Sequence, residues 1–275
     1  MKLSICKILF GGRTSLVQFF DYASQLGFKG VEFGYEEAVR TFPNFEDLKE
    51  ELSRRGLTWS GSYWGAPWHM PEERASILEE ATRRLIYMSG AGCNNLIIGP
   101  PGRFDGYEKD RFGYLEEAVK TINEVGKASS AYGVRASVHN HYGTIIEGQD
   151  EIDYVLQRTD ANSLWFCPDT AHLSVAGCDP LKNVIKYAQR IGYVHLKDAI
   201  KLAQFVPREE KWDERLRDLG KGEVPIADIL RTLKQSSYDG WVSYEQDRPQ
   251  RGETALESAS ASKAYLDSLV KQLQL

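Results

Sequence analysis

The chain has 275 residues, 42% hydrophobic and 27% charged, with 34 Lys and Arg against 39 Asp and Glu. That length and apolar content allow a substantial buried core and exclude wholesale disorder. No run of about 18 apolar residues offers a membrane span, and a net charge of −5 gives no electrostatic footprint for nucleic acid. Residues 1–7 meet Gly11, Gly12 and Arg13 before a secretory apolar core can form. Cys6, Cys93, Cys167 and Cys178 lack CxxC spacing and read as reduced thiols of a cytoplasmic protein. Histidine is scarce: five in all, four of them between His139 and His195.

In chain order, the first β-rich run is 3–9, followed by a helical face of Leu16, Phe19, Ala23 and Leu26. Strands are predicted over 30–33 and 58–63, then a helix on Leu78, Ala81, Leu85 and Met88. Strand 95–98 precedes a helix on Leu115, Ala118, Ile122 and Val125, and strands 134–139, 164–167 and 191–195 follow. Pro225 opens a helix carrying Ile226, Ile229, Leu230 and Leu233. Strand 241–244 leads to a last helix with the Thr254–Glu257 capping-box spacing. The strands are short, apolar or β-branched, and bounded by Gly, Pro, Asn or Asp, as buried parallel strands are. Eight strands alternating with helices predict one α/β domain over 1–275, a closed (β/α)8 TIM barrel. An open doubly wound sheet is disfavoured, since Gly11-Gly12 lacks the third glycine of a dinucleotide-binding turn.

Barrel chemistry sits where strands end and βα loops begin. Strand 5 runs into His139, Asn140, His141 and, past a Gly-Thr turn, Glu147; strand 6 runs into Asp169 and His172. Strand 7 delivers His195, Lys197 and Asp198, and strand 8 delivers Glu245 and Asp247. Singly, an Asp at a strand end is more often a helix N-cap, and a strand His a hydrogen-bonded core residue. Jointly, carboxylates and imidazoles on four successive strands point to a site. Oxygen donors mixed with imidazole suit Mn²⁺, Co²⁺, Mg²⁺ or Zn²⁺, whereas the cysteine spacing excludes structural zinc.

Glu32, ending strand 2, and Trp64, in the loop after strand 3 with Trp68 and His69, are candidates to face a substrate. A salt bridge for Glu32 and core packing for the tryptophans are the alternatives. Trp59, Trp165 and Trp241 fall at strand beginnings and read as structural. The connection 201–223 is long enough for a lid or an extra helix. Its Gly220-Lys221-Gly222 is too short for a phosphate loop. Asp198 either orients Lys197 or caps the next element.

These residues lie in VHNHYGT with Glu147, PDTAHLSVAGCDP (168–180), YVHLKDA (193–199), LGKGEVPI (219–226) and WVSYEQD (241–247), with GVEFG at 30–34. In them the chain resembles the xylose-isomerase-like barrel superfamily of sugar isomerases and epimerases, and within it looks most like the inosose dehydratases. The resemblance implies that Asp169, His195 and Glu245 are three of four metal ligands. The fourth, usually a Glu on strand 5, falls where His139 stands. His139 or Glu147 then completes the set, with Glu147 favoured and His139 left to the substrate. His141, His172 and Lys197 match positions beside the substrate in relatives, and a homo-oligomer is a reasonable expectation.

Such a site would polarise the carbonyl of a keto sugar or keto-cyclitol and stabilise the enediolate left when the α-proton departs. Glu147, Glu245 and His141 are the candidate bases, with His172 or Lys197 to stabilise oxygen charge or protonate a leaving hydroxyl. The expectation is a metal-dependent isomerase or epimerase, followed by an inosose-dehydratase-type lyase. A non-catalytic sugar-binding barrel is the remaining alternative. Endonuclease chemistry would need more His ligands and a basic face than this chain has.

Overall fold

Eight short segments pair as parallel strands: β1 (Lys2–Cys6), β2 (Gly30–Glu32), β3 (Thr58–Gly65), β4 (Asn95–Gly99), β5 (Arg135–His139), β6 (Leu164–Cys167), β7 (Val194–Leu196) and β10 (Trp241–Tyr244). Their order is β6-β5-β4-β3-β2-β1-β10-β7. The computed structural model describes residues 1–200 and 212–274; the first part of the connection expected as a lid or extra helix, 201–211, lies outside them. Two small strands, β8 (Asp198–Ala199) and β9 (Leu216–Arg217), form an antiparallel ladder over the end of β7. Between β6 and β7 no ladder forms among the described residues. The barrel closes there through two isolated bridges, Phe166 with Ile191 and Asp169 with His195.

Helices α1 (Leu16–Gln25), α2 (Tyr35–Thr41), α3 (Phe45–Ser53), α4 (Arg74–Ala91), α5 (Arg111–Ala131), α6 (Gln149–Arg158), α7 (Thr170–Val175), α8 (Pro180–Lys186), α9 (Ile226–Gln235) and α10 (Ala255–Leu273) alternate with the strands. The expected capping box at Thr254 and Glu257 is present, and α1 has another at Ser15 and Gln18. In α9 the residues Ile226, Ile229, Leu230 and Leu233 are all buried. Each such side chain contributes roughly 1.5–3 kcal/mol of burial. The strand expected over 3–9 ends at Cys6, because Lys7–Phe10 winds into a 3-10 turn that buries Leu9 and packs Phe10 on Phe19 and Tyr22. Among the described residues, no helix is long and apolar enough to cross a membrane.

One irregularity positions the site. The register of β2 against β3 jumps from Val31–Trp59 to Glu32–Gly61, leaving Ser60 as an extra residue. A bulge of this kind re-aims the side chains beyond it. Trp59 accordingly lies on the helix side, stacked on Phe33 at 4.7 Å. Gly61 faces Ile97 and Tyr193 in the interior.

Candidate functional site

The ends of β5, β6, β7 and β10 converge. Asp169 N-caps α7, its Oδ1 accepting the His172 backbone N–H at 2.8 Å, which leaves Oδ2 to face inward. The Asn140 side chain fixes the Asp169 peptide, accepting its N–H at 2.9 Å. Asp169, His195 and Glu245 each offer a donor atom within 4.8 Å of the others. His139 is within the same distance of His195 in one group and of Asp169 in another. The atoms His139 Nδ1, Asp169 Oδ2, His195 Nδ1 and Glu245 Oε2 are all buried without a hydrogen-bond partner. His195 Nδ1 and Glu245 Oε2 stand 2.7 Å apart as a buried ion pair, and Asp169 Oδ2 lies 3.3 Å from Lys197 Nζ. Two imidazoles and two carboxylates gathered in these overlapping groups fit a divalent cation.

Glu147 does not join this group. Its Oε2 accepts the Gly143 N–H at 2.8 Å and lies 3.6 Å from Arg103 Nε. The turn after β5 folds back, with the His141 N–H bonded to Ile146 O, and delivers Glu147 to the arginine instead. His139, which is 1% exposed, lies beside the other donors where Glu147 does not.

Glu32 was expected to reach a substrate, yet both its oxygens are engaged. Oε1 is 2.9 Å from His195 Nε2, and Oε2 accepts from the Tyr193 hydroxyl at 3.0 Å. Tyr193 in turn meets Ser60 at 2.9 Å and Ser4 at 3.3 Å. The contact with Glu32 fixes the orientation of the His195 ring, with Nδ1 toward Glu245. Neither Tyr193 nor Asn140 carried a sequence signal beyond its place in a strand-end motif.

Lys197 is wholly buried, its Nζ 2.9 Å from Glu245 Oε1, 3.2 Å from Asp247 Oδ1, 3.3 Å from Asp169 Oδ2 and 3.4 Å from His172 Nε2. Burial works against its charge, but Asp169, Glu245 and Asp247 together raise its pKa well above the ordinary value. Burial also works against the Glu245 carboxylate, and His195 and Lys197 outweigh it, holding its pKa well down. Burial, reinforced by neighbouring cationic groups, lowers the pKa of His139 and of His172, so both stay neutral with a lone pair to share. The His141 and His172 rings lie 3.7 Å apart between centres, tilted by 35°. His141 Nδ1 is 2.7 Å from Tyr142 O, and because a carbonyl only accepts, that nitrogen carries the hydrogen.

A cavity of about 540 Å³ opens onto this centre. It is lined by Glu32, Tyr63, His139, His141, His195, Glu245 and Asp247, together with Lys7 and Arg40. His172 and Lys197, expected beside a substrate, are fully buried and are not among the lining residues. Trp64 faces the helix layer: Arg84 covers its ring at 4.7 Å, and Trp68 meets it edge-on at 4.8 Å. Alternation along β3 instead turns Tyr63 inward, edge-on to His139 at 5.5 Å. Its ring lies across Gly99, where a Cβ would come within 2.0 Å of it. His69 packs on Phe104 at 4.8 Å, away from the cavity.

Asp198 clamps the following loop. Its carboxylate accepts the N–H groups of Ala199, Gly220, Gly222 and Val224 at 2.8–3.1 Å. The glycine-rich string is therefore a clamp around a carboxylate, and a Cβ on Gly222 would fall 2.2 Å from Asp198 Oδ1. Asp198→Ala strands several N–H groups at once and is expected to cost about 3 kcal/mol or more, read as a lower urea midpoint. An unchanged midpoint would refute the clamp.

The family described as xylose isomerase-like TIM barrel matches residues 20–268. An inosose dehydratase of Geobacillus kaustophilus is 31% identical over 269 residues, covering 91% of this chain and 86% of that protein. An inosose dehydratase of Bacillus velezensis is 26% identical over 258 residues, covering 88% and 85%. Among solved structures, the IOLI protein with a binding zinc atom aligns with a TM-score of 0.81 and 16% identity, over 99% of each chain. The probable 3-DHS dehydratase AsbF of Bacillus anthracis aligns with a TM-score of 0.79 and 18% identity, over 97% of this chain and 99% of that one. At such identities the structural likeness concerns the fold.

Proposed function

The chain belongs to the xylose isomerase-like TIM barrel family, and on that premise we propose a divalent-cation-dependent enzyme that enolises a keto-cyclitol and expels water from it. The observation that carries the reading is the buried cluster of donor atoms on Asp169, His195 and Glu245 with His139 beside them, of which His139, His195 and Glu245 line the cavity. These four residues would hold the cation; Mn²⁺, Co²⁺, Mg²⁺ and Zn²⁺ all accept such a set. When bound, it supplies Lewis acidity to a carbonyl and the hydroxyl beside it.

The protein's own part is placement and charge. Glu32 orients His195, and Asn140 orients Asp169. Lys197, with His195, keeps Glu245 ionised. Tyr63 and His141 flank the space above the donors and present a phenol and an imidazole to substrate hydroxyls. Enclosure limits water around the enolised substrate. Loss of the α-proton followed by loss of a β-hydroxyl is dehydration, whereas return of the proton to another carbon is isomerisation. Dehydration takes precedence here because relatives spanning most of the chain are named inosose dehydratases, which reverses the order reached from the residues alone. The enzyme is proposed as one barrel domain over 1–275, cytoplasmic and acting on small keto-polyols.

The test follows inososes and ketohexoses by proton NMR in D₂O, with protein stripped by chelator and reloaded with Mn²⁺ or Co²⁺. Water loss from an inosose is expected in reloaded protein and absent in stripped protein. An epimer or aldose product would restore the isomerase reading. No α-proton exchange in any substrate would leave only a sugar-binding barrel.

A further inference from the structure

Ser60 and Gly61 both face the barrel axis, which successive residues of a regular strand do not. The register jump in β3 between Trp59 and Gly61 permits it. Both residues meet one side chain there, that of Tyr193, which is fully buried just before β7. Ser60 Oγ lies 2.9 Å from its hydroxyl, and a Cβ on Gly61 would come within 3.0 Å of its ring. The Tyr193 hydroxyl donates to Glu32 Oε2 at 3.0 Å. A phenol has one hydrogen. With it given to Glu32, the Ser60 and Ser4 hydroxyls, at 2.9 and 3.3 Å, donate to the phenol oxygen. The other oxygen of Glu32 is 2.9 Å from His195 Nε2, and His195 turns Nδ1 to Glu245 at 2.7 Å. One file of contacts thus runs from the bulge in β3 to a cation donor on β7.

We propose that Tyr193 is a positioning residue for the cation: seated by Ser60, its hydroxyl holds Glu32 in the orientation that aims His195 at the other donors. This rests on the cation site of the proposed function. Tyr193 is not among the residues that line the cavity, so it acts through Glu32 and not on a substrate. Glu32 is 1% exposed. Without the phenol hydroxyl its Oε2 loses a donor in the barrel interior, and the carboxylate turns to recover one. The His195 ring, held by the other oxygen, loses its aim with it. The bulge then has a purpose at the rim, since it sets a hydroxyl and a glycine side by side against one phenol.

The test titrates Co²⁺ into full-length protein stripped by chelator, read by heat and by the visible spectrum of the bound ion, with a thermal melt of each stripped variant. Tyr193→Phe is expected to weaken cobalt binding about 10–100-fold and to alter the spectrum. A structural role alone would lower the melt and leave the affinity untouched. Ser60→Ala keeps the phenol but removes part of its seat, and should weaken binding by less. In a Glu32→Ala background, Tyr193→Phe should have no further effect, because the two act through one contact. Ser62→Ala, which removes a buried hydroxyl of the same strand that has no hydrogen-bond partner, should bind as the wild type does. Wild-type affinity in Tyr193→Phe or in Ser60→Ala overturns the proposal, as does an additive loss in the Glu32→Ala background. An equal loss in Ser62→Ala overturns it too, since β3 would then be loosened in general. Should Tyr193→Phe not fold, Ser60→Ala decides alone. If wild-type protein binds no cobalt, the cation site falls and takes the proposal with it; a wild type that binds beside an undiminished Tyr193→Phe removes the proposal alone.

Discussion

Glu245→Gln and Asp169→Asn are each expected to lose the divalent cation and all turnover while the barrel still folds. Both substitutions keep side-chain volume and remove one negative charge from a donor set that has two. Removing even a residue that merely supports a ligand typically costs about 10–100-fold in metal affinity, so losing a donor should cost more than about a hundredfold. The two variants should differ in stability. Asn at 169 keeps the oxygen that caps α7. Both substitutions leave the Lys197 ammonium short of one buried counter-charge, but Gln at 245 also strips His195 of its partner at Nδ1, and breaking a buried pair in this way costs about 3–5 kcal/mol. Metal content after dialysis, turnover and a thermal melt separate these effects. Full cation occupancy in both variants would refute the ligand assignment.

His139→Ala and Glu147→Ala form the second decisive pair. His139 presents a buried Nδ1 with no hydrogen-bond partner beside the other donors, so its loss should weaken cation binding by more than about a hundredfold, as for the other donors. Glu147→Ala should leave cation content unchanged and act on the loop, since it removes the acceptor for the Gly143 N–H. Arg103 retains Glu151, which it holds at 2.7 and 2.9 Å, so that loss should be modest. The opposite pattern, with Glu147→Ala stripped of metal and His139→Ala loaded, would reinstate Glu147.

The barrel was legible because short apolar segments and helical faces alternate along the whole chain, a local pattern. The rim was legible because strand ends can be read without knowing what they touch. Choices that depend on distant partners were not. Glu147 is diverted by Arg103, and Glu32 is claimed by His195, each far away in sequence. Tyr63 was hidden behind Trp64 because one extra residue in β3 shifts which side chains face inward. Lys197 lies in a strand-end motif, but that motif does not reveal that Glu245 and Asp247 wall it off.

The parallel ladders run round the barrel from β6 to β7 by way of β1, and the circle is completed by two bridges, one of them between Asp169 and His195. Two of the donor residues thus stand on opposite lips of the weakest join in the sheet. Whatever draws their side chains together also draws the lips together. The centre is a clasp as well as a rim site, and a ligand bridging it fastens a hoop that backbone pairing alone leaves only lightly buttoned.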